Sequence, residues 1–188
     1  MKELIKRNIN GKKILSLFIL TTIIYVVMLT ITIPKVMSFS GGMKILDMMP
    51  TGYSAEYVNL LLKTLGEEGR NTYLLNQLPL DMLYPVLFAV TYCLVLAYLL
   101  NKLGKLDSDL FYLCLLPLFS GFFDYCENIG IITILNRYPN NSNMLGQITN
   151  IFSILKSALT TLYFIVLTST LLVLGWRRLL REKNKQSM

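Results

Sequence analysis

The stretch from Ile14 to Ile33 (ILSLFILTTIIYVVMLTITI) is 20 residues long and has no charged side chain. At about 1.5 Å per residue a helix of that length covers roughly 30 Å, the thickness of a bilayer's hydrocarbon core. In lipid a backbone has no water to satisfy its N–H and C=O groups, so a spanning segment is confined to a helix or a closed barrel. Runs of this length predict helices. Three more apolar runs follow, at about 80–100, 110–135 and 148–176. Charged residues make up 15% of the 188 residues, against about 25% in a soluble domain. We therefore expect an all-α integral membrane four-helix bundle forming one domain over 1–188.

The basic residues set the expected orientation. Lys2, Lys6, Arg7, Lys12 and Lys13 precede the first run, and Arg177, Arg178, Arg181, Lys183 and Lys185 follow the last. With both termini cytoplasmic, inner segments hold twelve Lys and Arg and outer segments five. That is a positive-inside bias, with Trp176 as an interface anchor. The net charge of +7 is thereby read as membrane flanks touching anionic lipid, not as a nucleic-acid surface. The first run is longer than the 7–15 residues or so of a signal-peptide core, so it is expected to stay as a span.

The chain has no histidine, three cysteines (Cys93, Cys114, Cys126) and no CxxC. This disfavours zinc catalysis, Ser-His chemistry and a thiol oxidoreductase. No cofactor and no metal site is indicated.

Residues 34–79 are expected to form a small extracytoplasmic helical cap. Ser54 is placed to cap a helix over Ala55 to Leu65, where Val58, Leu61, Leu62 and Leu65 make an apolar stripe. Gly66 can end that helix, and Glu67 to Gln77 reads as a second short one. Pro117 and Gly121 are expected to bend the third span. Asn140-Asn141-Ser142 matches a glycosylation sequon, a pattern too short to carry weight.

The third run carries the polar exception. Asp124, Glu127 and Asn128 stand at i, i+3 and i+4 on one helical face. A central carboxylate costs about 2.5–3.5 kcal/mol to insert. Counted from the inner end, Asp124 and Glu127 lie about 21 and 25 Å along the helix, in its outer half. Asp81 is in the first turn of the second span, and Lys156 is two turns into the fourth. Arg70 and Tyr73 hang over them from the cap, and Tyr84 lies at the same level. Such groups face the bundle interior or a cavity, and pair.

Two readings stay open. In the first, Asp124 and Glu127 are candidate acid/base residues, and Arg70, Tyr73, Asp81, Tyr84, Asn128 and Lys156 bind a lipid or small amphiphile. Arg70 and Lys156 would then hold an anionic head group. In the second, Glu127–Lys156 and Asp81–Arg70 are bridges that fix helix register in a non-enzymatic subunit, chaperone or immunity-type protein. A small proton- or ion-coupled carrier, which would need a dimer, is a further alternative, and a homo-oligomer or a membrane partner is open in every reading.

Three strings occur together: Gly52 to Pro85 (GYSAEYVNLLLKTLGEEGRNTYLLNQLPLDMLYP), Leu116 to Asn128 (LPLFSGFFDYCEN) and the Lys156-bearing fourth span. In this the chain resembles a group of small bacterial four-helix membrane proteins with no assigned activity. The resemblance implies marked positions at Gly52, Arg70, Tyr73, Asp81, Tyr84, Pro85, Asp124, Glu127, Asn128 and Lys156. It implies no reaction.

Cysteines introduced at Lys44 or Asn141 should react with a membrane-impermeant thiol reagent on intact cells. Labelling only after permeabilisation would reverse the orientation.

Overall fold

The computed structural model describes residues 2–140 and 142–186. Sequon residue Asn141 and the side chains of Arg181 and Lys185 lie outside the described residues. Among those described there is no β-strand. Four helices are long and apolar enough to cross a membrane: Gly11–Met37, Ala55–Lys102, Asp109–Arg137 and the helix that starts at Asn143. They are called the first to fourth long helices below. A short helix, Lys2–Arg7, precedes them.

The first long helix starts where Asn10 accepts hydrogen bonds from the backbone N–H groups of Lys12 (3.0 Å) and Lys13 (3.3 Å). Those donors have no partner within the helix. Its last turns pass through a wide π-turn stretch, Met28–Thr32, into Ile33–Met37.

In the second long helix Ser54 caps the N-terminus as expected, accepting from Tyr57 N at 3.2 Å. The stripe Val58, Leu61, Leu62 and Leu65 is buried. It packs with Ile45 and Leu46 of the preceding loop and with Ile131, Ile134 and Leu135 of the third helix. The connecting segment therefore lies against one end of the bundle. Gly66 interrupts the helix at φ 64°, ψ −172°, a region open to a residue without a Cβ. The expected second short helix is not a separate piece. From Glu67 the chain runs through a second π-turn stretch, Tyr73–Gln77, directly into Leu78–Lys102. Pro79 lies at the junction between the π-turn stretch and this last part, and gives no N–H to the preceding turn.

The third long helix begins with a tight 3-10 stretch, Asp109–Leu115, and becomes α-helical at Leu116–Arg137. Pro117 lies at this junction, in the first α-helical turn. Gly121 serves close approach. A Cβ there would lie 2.9 Å from the Pro85 carbonyl oxygen and 3.1 Å from Ala89 Cβ. The fourth helix runs from Asn143 to Gln186, 44 residues, well past the 148–176 expected from hydropathy. At about 66 Å it exceeds a bilayer, and its basic end is a helical extension.

The first helix packs on the second, the second on the third, and the third on the fourth. Between the first and fourth runs a cleft. One apolar core lies at the connecting-segment end and another at the far end, around Leu96, Leu100, Phe111 and Cys114. At that far end Lys2 and Lys6 reach Asp107 at 3.1 and 2.7 Å. Hydrogen bonding from Lys6 holds the Asp107 carboxyl below its ordinary range. The polar layer lies between the two cores.

Gly121→Ala should destabilise the bundle by about 1–3 kcal/mol, because the obstructing atom is backbone. Gly175→Ala, with nothing within 4 Å, should be neutral or slightly stabilising. Thermal unfolding in detergent compares the two.

Candidate functional site

Three of the polar residues form one ionic unit. Lys156 Nζ lies 3.2 Å from Asp124 Oδ1 and is also paired with Glu127 Oε2. Asp124 and Glu127 share a face of the third helix, as their spacing requires. Lys156 comes from the fourth, so the pairing joins the two helices. Glu127 is 0% exposed, and its Oε1 has no hydrogen-bond partner among the described residues.

Asn128 has a different task. Pro85 has no N–H to give to the carbonyl of Asp81, four residues earlier. Asn128 Nδ2 supplies that hydrogen bond at 2.7 Å. A helix-interior proline is thus compensated by a neighbouring side chain. This interaction ties the second helix to the third.

Asp81 does not meet Arg70. The Arg70 guanidinium donates to the Leu62 carbonyl at 2.9 Å and stacks on the Tyr138 ring at 4.2 Å. Leu62 sits in the last turn before the Gly66 break, where carbonyls lose their helical partners. Arg70 therefore caps the helical part that ends at Gly66, and the expected Asp81–Arg70 bridge does not form.

Asp81 is instead set against Asp47. Asp47 is held from behind: Tyr73 Oη donates to its Oδ1 at 2.5 Å and Gln77 Nε2 to its Oδ2 at 3.2 Å. Gln77 Oε1 in turn accepts from Thr32. Thr32 and Gln77 belong to the two π-turn stretches, which meet here. Such widened turns re-aim side chains and recur at functional sites. The Asp47 loop is also fastened to the fourth helix, where Asn150 Oδ1 accepts from Tyr53 N at 2.7 Å. A Cβ on Gly52 (φ 90°) would collide with that same Asn150 side chain. The Tyr53 hydroxyl is buried without a partner among the described residues, and burial pushes its pKa upward.

Sequence reasoning passed over Asp47, Gln77, Thr32 and Asn150. A local signal existed for Asp47: it is the lone acid in an apolar string, Ile45 to Pro50.

Asp47, Gln77, Asp81, Asp124 and Lys156 line the head of a cavity of about 570 Å³. Its walls are aromatic, with Phe18, Tyr25, Tyr84, Phe88, Tyr92 and Phe164. Tyr84 stacks on Tyr25 at 5.5 Å between centroids, so it is a wall residue. Tyr73 and Glu127 do not line the cavity. Tyr73 positions Asp47, and Glu127 is sealed behind Lys156. The rim between the first and fourth helices includes the exposed Thr22, Leu29 and Thr161. Among the described residues no group of three His, Cys, Asp or Glu side chains is placed to hold a metal.

Compared with known proteins, the chain matches no protein-family model, no curated protein and no solved structure.

Lys156→Met should destabilise the fold by about 3–5 kcal/mol, since it leaves two buried carboxylates without their cation. Adding Asp124→Asn and Glu127→Gln should recover much of that loss. Denaturation of the single and triple variants measures both steps.

Proposed function

We propose that the chain is a multi-pass membrane protein that binds a lipid or small amphiphile in the cleft between its first and fourth long helices. In this reading both termini are cytoplasmic and the connecting segment lies outside the cytoplasm. The observation that carries it is the continuity of the cavity. One space joins a polar head, at Asp47, Asp81, Asp124 and Lys156, to a long aromatic wall and an open side. Cavities of about 300–1,000 Å³ accept ligands of that size, apolar over most of their surface and fixed by a few polar contacts. A side opening between helices admits a molecule directly from lipid.

The buried charges divide between structure and binding. The Lys156–Asp124–Glu127 unit and the Asn128 bond hold the helices together; of the two bridges in the register reading, Glu127–Lys156 is present and Asp81–Arg70 is not. Asp47 and Asp81 face the cavity with no salt bridge among the described residues. A catalytic role for Glu127 finds no support, because it is sealed from the cavity. Asp124 does line the cavity, but it is engaged by Lys156. The reading is therefore binding, with no reaction assigned. The resemblance to small bacterial four-helix proteins agrees with the layout and adds no activity.

Native mass spectrometry of the detergent-extracted protein should show a bound amphiphile. Ser157→Phe, which places a ring in the cleft, should abolish the adduct while the thermal unfolding profile stays that of the wild type. A wild-type protein with no adduct, or a Ser157→Phe protein that keeps it, would defeat the reading.

A further inference from the structure

The polar head of the cleft is chemically one-sided. Four carboxyls converge on this layer, from Asp47, Asp81, Asp124 and Glu127, and one ammonium, from Lys156. The ammonium is spent between Asp124 and Glu127. Arg70, the other cation expected there, caps a helix end and stacks on Tyr138. No protein cation is left for Asp47 and Asp81 among the described residues.

The hydrogen bonds are one-sided too. Tyr73 and Gln77 both approach Asp47 from the second helix, and neither lines the space as a free donor. Tyr73 lies outside the cavity lining, and the Gln77 amide is already given to Asp47. Asp81 is 3% exposed and lines the cavity, and its Oδ2 meets no donor among the described residues. The group set against it is another carboxyl, and two carboxyls in contact share one proton, which leaves the pair a single negative charge. Unsatisfied acceptors in an apolar enclosure are costly, and a charged donor relieves them most. The lining of the space below is mainly aromatic and aliphatic.

We infer that the amphiphile bound in the cleft has a cationic, hydrogen-donating head group, a protonated amine seated against the Asp47–Asp81 pair, with its alkyl chain along the aromatic wall. This rests on the binding function proposed above and replaces the anionic head group expected from the sequence. A primary ammonium offers three donors to two carboxyls. A quaternary ammonium offers charge without donors, and an alcohol offers a donor without charge.

The test compares head groups on one twelve-carbon chain. Purified full-length protein in phosphatidylcholine nanodiscs is equilibrated with radiolabelled dodecylamine, dodecyltrimethylammonium, dodecanol or dodecanoate, and binding above empty nanodiscs is measured. Dodecylamine should bind about tenfold or more tightly than dodecanol, the ratio expected from one hydrogen bond to a charged group. Dodecyltrimethylammonium should fall between them, and dodecanoate should be weakest. In Asp81→Asn the affinity for dodecylamine should drop toward that for dodecanol.

Dodecanol or dodecanoate binding as well as dodecylamine would overturn the inference and leave the amphiphile-binding function standing. So would an undiminished affinity for dodecylamine in folded Asp81→Asn. If Asp81→Asn does not fold, the wild-type head-group series alone decides. No binding of any of the four probes above empty nanodiscs would overturn the inference and the binding function together.

Discussion

The pairing of Lys156 with Asp124 and Glu127 is the interaction on which the polar half of the bundle depends. Three ionisable groups in apolar helices are each unfavourable alone. Together they form a compensated unit whose members come from two helices, so the compensation exists only when the third and fourth helices are packed in one register. Such a unit is weak as a source of net stability, but costly to break. It also consumes the site's only cation among the described residues, and this gives the remaining carboxyls their character.

The second and third helices are joined by another compensation. Pro85 removes a backbone donor, Asp81 exposes an acceptor, and Asn128 fills the gap. Gly121 lets the two helices come close enough for that bond. Each element is a local defect by helix propensity, and each is matched by a neighbour. The two π-turn stretches follow the same logic. They displace Thr32 and Gln77 from regular helical positions and bring them into contact, and Gln77 then holds Asp47. The open side of the bundle comes from what is missing from this scheme, since among the described residues no comparable polar tie joins the first helix to the fourth.

Much of the architecture was legible in the sequence because it depends on local properties. Apolar run length located all four long helices, and Ser54, Gly66 and the Val58–Leu65 stripe marked the helical part over Ala55–Leu65 correctly. The Asp124–Glu127–Lys156 association followed from helical spacing and depth along the axis. Arg70 was misplaced because sequence proximity to the second span says nothing about competing partners. Two were available: the open carbonyl of Leu62 and the Tyr138 ring. Asp47 was missed because its loop has no periodicity from which to assign depth.

By itself, then, the sequence determined the fold class, the helix positions and the existence of a buried charged layer. These follow from solvation: apolar length demands helices, and isolated charges in them demand partners. The tertiary structure alone decided which charges pair with one another and which face a cavity. That choice depends on three-dimensional competition among neighbours. Arg70 is drawn to a helix end, Lys156 is taken by two acids, and Asp47 is carried in by a loop fastened to the fourth helix. What had looked like a mixed-charge site is an acceptor-rich pocket as a result.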